Sequence, residues 1–215
     1  MKLLLQSNNL CRFYGKFQAL APTDLVLHAG EITILTGPNG AGKSTLLLCL
    51  SGLLRPSDGT INVDGFDLYK EEVEAKRRLA FVPDVPRFYT ELTAWEHLYF
   101  ISLAYGVNAE FENTAGDLMR AFGLWEAKDI FPHNYSRGMR LKLGILMALV
   151  RPFSVLLLDE PTSALDTESS QLLVERLDVI RGRGAAVLMS THNPAMLKDL
   201  ADRTIHMHHG VLEQS

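Results

Sequence analysis

Gly37, Gly42, Lys43 and Ser44 fall in the order G-x-x-x-x-G-K-S within TGPNGAGKST, between the apolar run EITIL and a second apolar run, LLLCLSGLL. Glycines leave room for backbone N–H groups to close around a phosphate, and a following helix adds about half a positive charge at its N-terminus. Lys43 is a mobile cation suited to β- and γ-phosphates, and Ser44 offers a hydroxyl to Mg²⁺. Pro38, Asn39, Gly40, Ala41 and Thr45 complete the loop. This set of residues would hold a nucleoside triphosphate. The alternative is a merely glycine-rich turn, which does not require a strand before the loop and a helix after it.

Cleaving that nucleotide needs an acid to hold the metal and a group to orient or deprotonate water. SVLLLDE places Asp159 and Glu160 at the end of a continuous apolar run, where the carboxyl ends of buried strands carry ligand groups in α/β sheets. Their order suggests different roles, with Asp159 serving Mg²⁺ and Glu160 accepting a proton from water. Taken without the loop, the same run reads equally well as a core strand ending in solvated acids.

The elements that must position these groups are legible in outline. LVLHAG, EITILTG and GTINVDG read as strands punctuated by Gly30, Gly37, Gly59 and Gly65. From Thr93 to Val150 the spacing becomes helical, in LTAWEHLYFISLAYG, FENTAGDLMRAFG and RGMRLKLGILMALV. SVLLLDE and GAAVLMSTH then flank a capped helix, TESSQLLVERLDVIRGRG. Strands alternating with helices imply a largely parallel sheet covered on both faces, with a helical insertion. The aromatics between Phe88 and Tyr105 are expected to form mainly the core of that insertion.

The 215 residues, 47% of them hydrophobic, suffice for one domain with a subdomain. Twenty-one basic against 25 acidic residues leave no basic excess to track a phosphate backbone, so nucleic acid is not an expected partner. Cys11 and Cys49 lie far apart and outside any C-x-x-C pair, which fits a reducing cytoplasm. No stretch approaches the apolar length of a membrane span. A mean hydropathy of +0.06 leaves room for an apolar surface covered by a partner. His206, His208 and His209 invite a metal reading, but alternation along a terminal strand and its turn explains them more simply.

GPNGAGKST, LLLDEPTSALD and STH, in this order, resemble the nucleotide-binding domain of ATP-binding cassette (ABC) ATPases over nearly the whole chain. The resemblance implies an α/β fold: a P-loop NTPase core with a mostly parallel sheet, an antiparallel β-rich N-terminal part and an inserted helical subdomain. It implies one ABC ATPase domain over 1–215, with 1–83 and 152–215 as catalytic core and 84–151 as helical subdomain carrying the signature motif. ATP and Mg²⁺ are the implied cofactors. YSRGMR stands where the family has its signature, so Ser136 and Gly138 are expected to reach the γ-phosphate held by the opposite subunit of a head-to-tail dimer. Asp166 matches the D-loop, His192 the switch histidine at the γ-phosphate, and Tyr14 the aromatic that stacks on adenine. Each has a local alternative: Asp166 and Ser136 as helix caps, His192 as the start of a helix, Tyr14 as core beside Phe13 and Phe17.

Two motifs depart from the family pattern. Asp84 stands where most members carry a glutamine that contacts Mg²⁺ and its water, and Arg137 and Met139 where glycine and glutamine are commoner. A carboxylate at 84 still suits a metal's water shell but adds a charge near other acids and the γ-phosphate. FVPD, LTAWEHL and YSRGMR together resemble the ATP-binding subunits of bacterial exporters. The expected role is therefore to energise a separate integral membrane permease as a homo- or heterodimer, in the cytoplasm and peripheral on the inner face of the membrane. The competing readings are a soluble ABC ATPase uncoupled from transport and an ATP-gated scaffold without turnover. The stretch from Asp84 to Phe100 corresponds to the groove that receives a short helix of the permease, with Phe88 and Tyr89 expected to be partly accessible.

Overall fold

The computed structural model describes residues 1–192, 194–197 and 199–214. The chain divides into two compact units, the first comprising Met1–Phe81, Phe153–Glu160 and Arg176–Ser215, the second Val82–Pro152 and Pro161–Glu175.

The first unit contains two sheets. Strands β1 (Leu3–Tyr14), β2 (Phe17–His28), β4 (Asp58–Val63) and β5 (Phe66–Asp67) form one, in the order β2-β1-β4-β5, with every pairing antiparallel. The other contains β3 (Ile32–Thr36), β6 (Leu79–Val82), β7 (Val155–Asp159), β8 (Ala186–Ser190), β9 (Arg203–His208) and β10 (Val211–Gln214) in the order β10-β9-β3-β8-β7-β6. Strand β3 runs parallel to β8 and β9, and β7 parallel to β8, while β9 and β10 form a terminal hairpin. Both β7 and β8 are buried along their whole length, as continuous apolar runs require when both sheet faces are covered. Helix α1 (Lys43–Leu50) presents Leu46, Leu47, Cys49 and Leu50 to this core; α2 (Glu72–Arg78) packs beside β4 and β5.

LLLQSNNLCRFY forms the long strand β1, which strict alternation does not mark because its apolar residues come in runs broken by polar ones. Register shifts along both of its ladders account for that broken pattern. The terminal histidines follow the strand alternation: Ile205 and Met207 are buried while His206 and His208 point outward. Both cysteines are buried and unpaired, and burial pushes the Cys49 thiol up to about 11.

The second unit is helical: α3 (Ala94–Tyr105), α4 (Phe111–Ala121), α5 (Arg137–Leu149) and the start of α6 (Thr167–Gly182). Thr93 and Glu96 form a reciprocal capping box at the start of α3, and Gly106 ends the helix in the left-handed conformation. The expectation that the Phe88–Tyr105 aromatics form the core is corrected here. α3 buries Ala94, His97, Leu98 and Ser102, of which only Leu98 is a large apolar residue, and this leaves Tyr99 and Phe100 on its exposed face. The apolar core of the unit comes instead from residues such as Phe111, Met119, Phe122, Leu141 and Leu146.

Nothing in the spacing marks His97 as buried. Its Nε2 accepts from the Tyr89 N–H at 2.9 Å while Nδ1 lies 2.7 Å from the Thr93 carbonyl, an arrangement that needs one neutral tautomer. Burial lowers the His97 pKa below its ordinary value. As pH falls, the unfolded chain therefore takes up this proton first, and stability is lost from about pH 6.5 downward until folded His97 also protonates. Thermal unfolding from pH 7.5 to 5.5 is expected to show a steeper loss in the native chain than in His97→Gln; equal slopes would refute it.

Candidate functional site

The phosphate loop lies between β3 and α1, both in the first unit. Gly37 has φ 144°, and a Cβ there would sit 2.1 Å from the Met207 carbonyl oxygen, so backbone packing as well as conformation demands glycine. Gly42, at φ 108°, enters α1 without any side-chain cap, and the first turn carries no acid. The helix's leading N–H groups are thus left to an anion rather than to a capping side chain. Lys43 is 7% exposed and curls back over the loop, its Nζ donating to Gly37 O at 2.8 Å and Pro38 O at 3.3 Å. Ser44, one residue on, is exposed.

Glu160 follows the end of β7 and is turned by a left-handed φ of 48°. For a non-glycine residue this costs about 1–3 kcal/mol and persists only where surrounding contacts enforce it. The enforcing contact is Ser190, in the neighbouring strand β8: its Oγ accepts from the Glu160 N–H at 2.9 Å and donates to Asp159 Oδ1 at 2.6 Å. The register pairs Asp159 directly with Ser190. One hydroxyl therefore sets both acids, and nothing in the local spacing of either strand signals it.

So turned, Glu160 brings three segments together. Its Oε1 is 3.8 Å from Lys43 Nζ, and its Oε2 is 2.8 Å from His192 Nδ1 and 3.3 Å from the His192 amide. Asp159 is almost fully buried, whereas the His192 ring is largely exposed. A cation, a carboxylate and an imidazole thus converge beside an anion-binding loop at the carboxyl ends of parallel strands. The Ser44 hydroxyl and the Asp159 carboxylate form an all-oxygen donor set of the kind Mg²⁺ takes, so the residues present fit that ion.

Tyr14 ends β1 and is 46% exposed, with the Arg12 guanidinium 4.8 Å from its ring centroid. The core alternative is therefore excluded for Tyr14, and Phe17 is still more exposed. An exposed ring is available to a base, and its loss is expected to weaken ATP by about 1–3 kcal/mol, roughly ten- to a hundredfold. Equilibrium binding to Tyr14→Ala tests this, an unchanged dissociation constant counting against the stacking role.

Asp84, Ser136, Gly138 and Asp166 all belong to the second unit. Ser136 caps α5, its Oγ accepting from the Met139 N–H at 3.2 Å. Asp166 caps α6 through the Ser169 N–H at 2.8 Å. Its carboxylate is also paired with Lys142 Nζ at 2.7 Å, and these two partners hold its pKa far below the ordinary range. A Cβ on Gly138 would approach the Ala164 carbonyl oxygen to 2.6 Å, so glycine is required there to let two backbone segments close up. Asp84 accepts from Ser163 Oγ and from Arg137 Nη2.

The family model for ABC transporters matches residues 20–163, about two-thirds of the chain, and spans both the phosphate loop and the acids. The chain belongs to the ABC transporter ATP-binding family. Members of this family hydrolyse ATP, and this ABC ATPase is an ATP-binding enzyme of that class. It is 34% identical to the ABC transporter ATP-binding protein NatA of Bacillus subtilis (strain 168), over 90% of this chain and 79% of NatA. It is 31% identical to SkfE, the SkfA peptide export ATP-binding protein of the same organism, over 98% of this chain and 88% of SkfE. A solved ATP-binding subunit of an ABC transporter superposes with a TM-score of 0.91 at 33% identity, covering 98% of this chain and 90% of the other.

Proposed function

We propose that this ABC ATPase energises a separate membrane permease, and that it does so in export. The observation carrying the hydrolytic part is the Glu160 carboxylate, poised 3.8 Å from Lys43 Nζ and 2.8 Å from His192 Nδ1. In this reading the amides from Gly37 to Thr45 and the Lys43 ammonium hold the β- and γ-phosphates, and Tyr14 stacks on adenine. Glu160 accepts the proton of the attacking water, and His192, hydrogen-bonded to it, contacts the γ-phosphate and keeps the carboxylate aimed. Ser44 and Asp159 would hold Mg²⁺, whose charge would offset that developing on the phosphate oxygens. Ser136 and Gly138 meet the nucleotide of a second ABC subunit, so that ATP closes a dimer and hydrolysis reopens it.

Among the described residues no helix is long and apolar enough to cross a membrane; in this reading a membrane partner supplies the spans. The second unit offers it an aromatic surface: Tyr89 is 57% exposed and Tyr99 and Phe100 nearly half so, while Phe88 packs edge-on against His97 at 5.4 Å and is half-buried. Exposed aromatics of this kind are enriched in interface hot spots. The export direction draws on relatives such as SkfE, whose name includes peptide export. A cytoplasmic position on the inner membrane face follows from the same partnership.

Losing an aromatic anchor typically costs about 2 kcal/mol, roughly thirtyfold in affinity. A Phe88→Ala, Tyr89→Ala double variant is therefore expected to retain its fold and basal ATPase but to stop copurifying with membranes. The deciding measurement is expression of the native chain with its genomic neighbours. Capture of an integral membrane protein supports the reading, whereas a wholly soluble chain that pulls down none would replace it with an uncoupled soluble ATPase.

A further inference from the structure

Arg12 precedes Tyr14 on β1, and its guanidinium covers one face of the Tyr14 ring, 4.8 Å from the ring centroid. The guanidinium is not free to swing. Its Nη1 donates to the Arg55 carbonyl at 3.0 Å, while Nε is buried and finds no hydrogen-bond partner. A buried donor without an acceptor is a cost, so hydrogen bonding alone does not account for an arginine here. What the side chain gains is the π face of Tyr14, a contact that suits a planar cation able to stack. The β1–β2 ladder shifts register on both sides of Arg12, an irregularity of the kind that re-aims a side chain beside a site.

The carbonyl that holds Arg12 is itself fixed. Residues 55–57 lie between α1 and β4 and are fastened to β1 by two further bonds, the Ser57 N–H donating to the Cys11 carbonyl at 2.8 Å and the Phe13 N–H to Ser57 Oγ at 3.0 Å. Helix α1 begins at the phosphate loop, so Arg12 ties the Tyr14 ring to the segment that continues the element carrying that loop. All of these groups belong to the first unit. An exposed tyrosine at the end of a strand otherwise rotates freely and gives up that freedom when a ligand stacks on it, a loss that weakens binding. We infer that Arg12 is a positioning residue for the nucleobase: its guanidinium, clamped to the Arg55 carbonyl, backs one face of Tyr14 and pre-orients the ring so that the other face receives adenine. This role rests on the assignment of Tyr14 to adenine.

The test is a double-mutant cycle between Arg12 and Tyr14, read as dissociation constants in EDTA, where no turnover intervenes, for ATP and separately for inorganic tripolyphosphate, which has no base. Arg12→Gln is expected to weaken ATP about two- to fivefold, the range set by a cation–π contact at an exposed ring, and to leave tripolyphosphate unchanged. Arg12→Lys, which keeps a cation over the ring, recovers part of the loss. In a Tyr14→Ala background Arg12→Gln changes nothing further, because there is no ring left to orient. Equal weakening of ATP and tripolyphosphate, or an equal loss with and without Tyr14, would make Arg12 a structural prop or a general attractor of anions and overturns the positioning role. So does an unchanged ATP affinity in Arg12→Gln when Tyr14→Ala weakens it, since Tyr14 then stacks unaided. Should Arg12→Gln fail to fold, Arg12→Met, whose unbranched chain fills the same space up to Nε, is read by the same cycle. If Tyr14→Ala itself leaves ATP binding untouched, the stacking assignment has failed and the role of Arg12 goes with it.

Discussion

Lys43→Ala is expected to abolish measurable ATP binding at concentrations that saturate the native chain. Lys43 Nζ is held by two loop carbonyls, Gly37 at 2.8 Å and Pro38 at 3.3 Å, and stands 3.8 Å from Glu160. These contacts aim a buried ammonium into the loop, and no other side chain from Gly37 to Thr45 carries a positive charge. Charge-assisted hydrogen bonds are worth about 1.5–3 kcal/mol each, so losing two to the phosphates costs about 3–6 kcal/mol, roughly a hundredfold to ten-thousandfold in affinity. Lys43→Arg is no rescue, because its broad planar fork does not replace a compact ammonium inside a closed loop. Titration with a fluorescent ATP analogue, alongside circular dichroism to confirm the fold, reads the outcome directly. Binding within a few fold of the native value would sink the phosphate-cradle assignment.

Glu160→Gln is expected to separate binding from turnover. The amide keeps the shape and one acceptor oxygen, so the contact with His192 survives, but it cannot take a proton from water. General-base catalysis is worth about 10²–10⁴ in rate, and the steady-state ATPase should fall by that factor while the ATP dissociation constant stays within a few fold. Because the left-handed turn at Glu160 is held through its own backbone N–H, which donates to Ser190 Oγ, the substitution leaves the local conformation in place. With MgATP this variant should accumulate as a dimer in size exclusion or light scattering, since in the proposed dimer the triphosphate that would join Lys43 of one subunit to Ser136 of the other is no longer destroyed. A variant that binds ATP yet remains strictly monomeric would refute the dimer mechanism, and one that retains native turnover would remove Glu160 from the role of base.

Chemistry that depends on contiguous residues is legible in the amino-acid sequence itself. The phosphate loop is a local device: Gly37, Gly42, Lys43 and Ser44 lie within eight residues, and its strand and helix neighbours are marked by apolar runs. The pair Asp159 and Glu160 is legible for the same reason, as acids ending a buried run. Helices α3, α5 and α6 are signalled by caps at Thr93, Ser136 and Asp166, which are interactions over three residues.

Contacts that cross the sheet or join separate loops leave no such signal. Sheet order and register decide that Ser190, 31 residues from Asp159, holds both acids, and that His192 meets Glu160. Periodicity records which face of a strand is buried but not which strand lies beside it. The same holds for α3, whose aromatics read as core: hydrophobicity ranks Tyr99 and Phe100 above Ala94, His97 and Ser102, which are buried beside Leu98. The buried histidine is acceptable there because both ring nitrogens find backbone partners. Asp84 and Arg137, 53 residues apart, stand out singly in the sequence as unusual residues; only the folded chain shows each to be the other's counter-charge, because a Coulomb pair depends on distance in space and leaves no mark on spacing.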